Sequence, residues 1–109
     1  MKTIYKYEVP IVLGEDIKLT LPKGAKLLRI DWQDSTQKAC LWALIDTKEK
    51  QKNAIVFQIY GTGCELPEDS GNFLSYFTTF QTSNNLVWHV FLRTDTLHFS
   101  TGSLGELLL

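Results

Sequence analysis

Few residues in this chain have the chemistry to act on a substrate. Two histidines, His89 and His98, and two cysteines, Cys40 and Cys64, are the whole stock of imidazole and thiol. A thiol nucleophile needs a base beside it, and Cys64 with His89 is one pairing that can be written. Nothing in their spacing favours it over any other. Metal ligation needs donors at set intervals, yet no Cys-x-x-Cys, His-x-His or His-Glu-x-x-His occurs. Glu65, Glu68 and Asp69 gather in one segment. Carboxylates so close could share acid–base work if burial split their pKa values. In a loop with Gly and Pro, solvation is the expected state. Tyr60-Gly61-Thr62-Gly63 follows an apolar run, which invites comparison with a phosphate-cradling turn. The dinucleotide fingerprint needs a third Gly and a following helix, but position 66 is Leu and Pro67 comes next. The Gly-Lys-Ser/Thr of a Walker loop is missing as well. The stretch reads as a turn with positive φ at one or both glycines, and a ligand loop offering N–H groups to an anion is the sharper alternative. No catalytic residue, metal site or cofactor is assigned.

The elements that would position these groups repeat with period two, the mark of half-buried strands. Ile17, Leu19 and Leu21 alternate with Asp16, Lys18 and Thr20, and Pro22-Lys23-Gly24 then turns the chain. Leu28, Ile30 and Trp32 form the next apolar face, with Arg29 and Asp31 opposite. Residues 38–46 are apolar on both faces, which predicts a central strand covered on two sides. Cys40 lies inside this run and reads as a small buried hydrophobe. Residues 47–53 form a charged loop with Lys48, Lys50 and Lys52 in solvent, and residues 54–61 form a strand. In residues 72–81, Phe73, Phe77 and Thr79 are expected on one face and Leu74, Tyr76 and Phe80 on the other. Ser83-Asn84-Asn85 makes a hairpin turn. The return strand sets Leu86, Trp88, Val90 and Leu92 against Val87, His89, Phe91 and Arg93. An opening strand over 3–9 ends at Pro10, and residues 96–100 could add a last short one.

Seven to eight short strands without intervening helices predict a mainly β fold, a small antiparallel sandwich or barrel, with room for one short helix around 67–77. Residues 1–93 form a single β domain. Residues 94–109 read as a C-terminal extension, packed on the body or on a partner subunit because its leucines are costly to leave in water. The 109 residues suffice for one core. Eleven basic residues against twelve acidic ones exclude nucleic-acid binding by bulk charge. The charged opening Met1-Lys2-Thr3-Ile4-Tyr5-Lys6-Tyr7-Glu8 does not fit a signal peptide. No apolar stretch approaches the ~20 residues that span a bilayer. The expected location is the cytoplasm, where Cys40 and Cys64 stay unpaired thiols more often than a disulfide.

Three groups of residues carry a resemblance. They are Lys2 to Tyr7; Leu21 to Leu28 with Leu41 to Asp46; and Phe57 to Gly63 with Tyr76 to Gln81 and Val87 to Phe91. In this order, over residues 1 to 93, they resemble a family of small uncharacterised proteins found in bacteriophages and prophages. The resemblance implies an origin and transfers no catalytic motif. With three Trp, four Tyr and six Phe, the chain has more aromatic surface than one small core needs. The expectation is a non-enzymatic phage accessory protein that acts by binding and inhibits a host defence protein. Its contact residues would be Tyr60, Gly61, Thr62, Gly63, Tyr76, Trp88, His89 and Arg93. Other readings are sequestration of a small nucleotide-like ligand, a minor virion component, and a small hydrolase using Cys64 or the acidic loop. A homodimer or higher homo-oligomer would supply the second cover for residues 38–46.

Overall fold

A computed structural model describes residues 1–95. Residues 96–109 lie outside the described residues, and with them His98, the short strand at 96–100 and nearly all of the extension. Seven strands follow in order: β1 (Lys2–Val9), β2 (Ile17–Pro22), β3 (Lys26–Gln33), β4 (Lys38–Asp46), β5 (Lys52–Gly61), β6 (Leu74–Gln81) and β7 (Val87–Arg93). The helix allowed for around 67–77 is a single 3-10 turn, Ser70–Asn72.

Every pairing between these strands is antiparallel, and an isolated parallel bridge joins Leu13 to Ile59. One sheet has the order β1-β4-β3 and the other β2-β5-β7-β6. The sheets pack face to face as a sandwich and do not close into a barrel. The alternating apolar residues supply the inner faces: Leu21 from β2, Ile30 from β3, Leu41 from β4, Ile55, Phe57 and Ile59 from β5, and Val90 and Leu92 from β7, each under 2% exposed or close to it. Phe57 stacks on Phe77, with ring centroids 6.3 Å apart, which ties β5 to β6 on the core side.

The turns follow their residues. Gly24 takes φ 81° after Pro22, and the Ala25 N–H donates to the Pro22 carbonyl at 3.1 Å. Asn85 takes φ 67° in the hairpin between β6 and β7, a conformation that Asn tolerates better than most residues.

Two bulges overturn simple alternation. In β3 the register shifts between Leu27 and Arg29. Leu27 therefore faces the core, while Leu28, expected inside with Ile30 and Trp32, is 43% exposed. In β6 the shift falls between Tyr76 and Thr78. Thr79 thereby joins Tyr76 on the outer face, and Phe80 joins Phe77 on the inner one. Unbroken alternation would instead put Phe77 with Thr79 and Tyr76 with Phe80. An extra residue inverts the alternation beyond it. β4 is central as expected. Its inner face is sealed and Cys40 is buried on the outer side, but Trp42 and Leu44 there remain half-exposed.

Candidate binding face

The hairpin of β6 and β7 lies beside β5 and carries Tyr76, Trp88, His89 and Arg93, while Tyr60 to Gly63 lie at the end of β5 and in the turn after it. Tyr60 pairs with His89, and His89 with Thr79; Phe91 pairs with Gln58 on one side and Tyr76 on the other. Antiparallel partners share a face. Tyr60, Gln58, His89, Phe91, Tyr76 and Thr79 therefore share the outer side of the four-stranded sheet, but Tyr60 and Gln58 are buried there, at 6% and 7% exposure, so Tyr60 supports the face from beneath and is not the contact residue the sequence suggests. Trp88 is set one residue out of phase, so it points to the inner side. There its indole N–H donates to Thr82 Oγ1 at 3.3 Å. It does not join the face on which Tyr60 and His89 stand.

Side-chain hydrogen bonds hold this face in place. Tyr76 Oη meets Thr79 Oγ1 at 2.7 Å, Thr79 Oγ1 meets His89 Nδ1 at 3.1 Å, and His89 Nε2 meets Thr62 Oγ1 at 2.8 Å. A hydroxyl can donate or accept, so the row closes with either imidazole tautomer. Phe91 stands edge-on to Tyr60 (6.1 Å) and to Tyr76 (5.9 Å), the geometry favoured by ring quadrupoles. Tyr76 is nevertheless 59% exposed.

Beside the rings runs a second network. Tyr60 donates to Gln58 Oε1 at 2.7 Å, and Gln58 Nε2 donates to Asp16 Oδ1 at 2.7 Å. Arg93 Nη1 reaches both oxygens of Asp16, while its Nε and Nη2 engage Asp95. The guanidinium also lies 5.1 Å from the Phe73 ring centroid. The hydrogen bonds to Asp95 and then Asp16 raise the Arg93 pKa, and Arg93 in turn holds the Asp95 carboxyl below its usual range. Burial, then the Asp16 charge, pushes the Tyr60 phenol up. Arg93 thus clamps the base of the face, with most of its donors already engaged.

The turn after β5 is less open to ligands than its glycines indicate. Gly61 ends the strand, and only Gly63 has positive φ, at 88°. The Thr62 N–H donates to Val87 O and the Cys64 N–H to Gly61 O, so two donors expected for an anion serve the backbone. Cys40 and Cys64 are free thiols, the first buried and the second exposed. Both His89 nitrogens meet threonines. Glu65, Glu68 and Asp69 are exposed. Among the described residues, no three His, Cys, Asp or Glu side chains gather to hold a metal ion, and no helix is long and apolar enough to cross a membrane.

Sequence reasoning missed Thr79, Phe91, Gln58 and Asp16 as members of the face. Phe91 was legible, because it shares the phase of His89. Thr79 was hidden by the β6 bulge. Asp16 carried no signal, since its tie to Gln58 and Arg93 spans distant positions.

Strand order and surface together define a two-sheet antiparallel β sandwich with an aromatic, hydrogen-bonded outer face. Within that class the chain belongs to the family described as Domain of unknown function (DUF7352), which matches residues 1–98. The match runs a few residues past β7. No curated protein and no solved structure matches the chain.

Proposed function

We propose that this protein acts by binding, without catalysis, and that the outer face of the four-stranded sheet meets a protein partner. The observation that carries the reading is Tyr76. Its ring is mostly exposed, yet its position is fixed by Phe91 and Thr79. An aromatic held in place before docking loses little entropy when it docks, which is why such residues anchor interfaces. Exposed Thr62, Thr79 and Gln81 add polar groups around it.

A hydrolase draws less support from the same groups. A threonine hydroxyl beside an imidazole is the start of a nucleophile–base pair. The second ring nitrogen, which meets a carboxylate in a catalytic triad, here meets another threonine. A nucleotide site draws little support from the Gly61–Gly63 turn, whose flanking N–H groups are occupied. In the phage setting that the sequence resemblance implies, the partner is a host protein of the cytoplasm, and inhibition of a defence protein is the role that fits.

A photo-crosslinking residue at position 76 tests the reading, with position 28 on the other sheet as control. One protein should crosslink at 76 and not at 28, and Tyr76→Ala should weaken its binding at least about tenfold. Equal capture at both positions overturns the assignment of the face. A raised melting temperature with an ADP-ribose-type or cyclic nucleotide would favour ligand sequestration instead.

A further inference from the structure

The two sides of the sandwich end differently. On one side β3 packs against β6. On the other, β1 is the last strand of its sheet, and no described residue pairs with its outer edge. The β4 register shows which of its backbone groups are engaged. The Met1 carbonyl accepts from the Thr47 N–H at 2.8 Å, and the ladder continues unbroken from Lys2 opposite Asp46 to Val9 opposite Ala39. Alternate residues of an antiparallel strand send both N–H and C=O to the same neighbour. Met1, Thr3, Tyr5 and Tyr7 therefore address β4. Lys2, Ile4, Lys6 and Glu8 present their N–H and C=O groups outward. The same strand holds exposed apolar surface. Ile4 is 56% exposed, and Tyr5 is 50% exposed although it stands opposite Ala43, which is fully buried. A core-facing residue so exposed means that β1 overhangs the four-stranded sheet.

The geometry points to a second copy of this chain as the occupant of that edge. β1 pairs antiparallel with β1 of the partner, which joins the two three-stranded sheets into one. The residue pattern selects the register. A one-residue slip would set core-facing side chains opposite outward ones, so only every second register survives. Centring the pair on Ile4 opposes Lys2 to Lys6 twice. Centring on Lys6 opposes two lysines directly. Centring on Tyr5 puts Lys2 opposite the partner's Glu8 at both ends, Ile4 opposite the partner's Lys6, and Tyr5 opposite the partner's Tyr5. This register alone among the three has opposite charges across the strands and no like pair. It forms about eight intermolecular hydrogen bonds, two for each pair of outward residues. Glu8 already holds Lys38 through Oε1 at 2.7 Å, and its other oxygen is left for the partner's Lys2. The lysines that guard this edge against arbitrary pairing thus specify one partner. β1 and the binding face lie on different sheets, so pairing at this edge is independent of that face.

Sedimentation equilibrium of the full chain at micromolar concentration should give twice the mass of one chain. Ile4→Pro deletes an outward N–H that β4 does not use, so the fold should persist by circular dichroism while dimer dissociation rises at least about tenfold. Glu8→Lys should weaken the dimer, and Lys2→Glu combined with Glu8→Lys should restore it. In a Cys64→Ser background, Tyr5→Cys should form an intermolecular disulfide readily, and Thr3→Cys, which faces the partner's Tyr7, should not. A wild-type monomer across this range overturns the proposal and leaves the edge to a foreign strand. A dimer that crosslinks through Thr3→Cys and not through Tyr5→Cys overturns the register.

Discussion

Arg93 joins three distant parts of the chain through one side chain. It reaches Asp16 ahead of β2, Asp95 beyond β7, and the Phe73 ring before β6. The carboxylates are partly exposed, so solvent screens each pair, and the loss in Arg93→Met should be about 1 kcal/mol in urea unfolding. The depressed Asp95 pKa makes this linkage pH-dependent. Its stabilisation is present above the carboxyl's ordinary pKa and is lost as pH falls through the lowered value. Asp95→Asn should therefore flatten the acid limb of the stability–pH curve and leave the neutral-to-alkaline part unchanged in slope. Tyr60 has the opposite sign. Its raised pKa stabilises the fold below the ordinary phenol range, and that contribution disappears as pH climbs through the raised value. Absorbance at alkaline pH should show two tyrosines ionising late, Tyr7 and Tyr60, both raised first by burial, and Tyr60→Phe should remove one of them. The two glycines of the β5 turn differ as well. A Cβ at Gly61 would meet Cys64 and Trp88 at ordinary contact distances, whereas Gly63 has φ 88°. Gly63→Ala should cost about 1 kcal/mol or more, and Gly61→Ala only a few tenths, by chemical denaturation.

At the scale of elements, the strands differ by their place in the sheet. β4, β5 and β7 are hydrogen-bonded on both sides, and β1 and β6 end their sheets. Amide exchange should be slowest in Leu41, Phe57, Ile59 and Val90, and faster by orders of magnitude at the outward amides of β1. Protection at Ile4 and Lys6 that grows with protein concentration would reflect pairing of that edge. The bulges are the other feature of this scale. Without the extra residue in β6, Tyr76 and Thr79 would fall on opposite faces and the row ending at His89 would not form. Alternation over residues 74–81 looks regular in the sequence because Phe77 and Phe80 are both apolar and either phase supplies a core residue. The bulge is decided by where β7 places Val90 and His89.

For the molecule as a whole, both sheets bury one common core. Phe57 and Leu41, fully buried on opposite sheets, belong to the same cluster. Phe57→Ala should cost about 3–5 kcal/mol and Leu41→Ala about 2–5 kcal/mol. Either is a large fraction of the total stability of a domain this size. Each variant should shift one transition seen identically by far-UV and tryptophan signals, since neither sheet has a core of its own. Two transitions would mean that the sheets unfold separately. The flat outer face and the open β1 edge lie on different sheets, so partner binding and self-association can be altered independently. Tyr76→Ala should leave the oligomeric state unchanged, and Ile4→Pro should leave crosslinking at position 76 intact.

Residue spacing along the chain was enough to indicate the fold class and the strands of the body. Side chains alternate along a strand, and the apolar half must leave water, so spacing alone put Ile17 with Leu21 on one face and Trp88, Val90 and Leu92 together on another. It also put His89, Phe91 and Arg93 on one face of their strand. Strand pairing emerges only in the folded molecule, and with it the meeting of Thr62, Thr79 and His89 while Trp88 turns away. The tertiary structure alone decided that Arg93 is engaged by Asp16 and Asp95, and that β1 rather than β4 bears the more exposed apolar surface. These outcomes depend on register and strand order, which are set by the sum of many long-range contacts, and no local pattern encodes them.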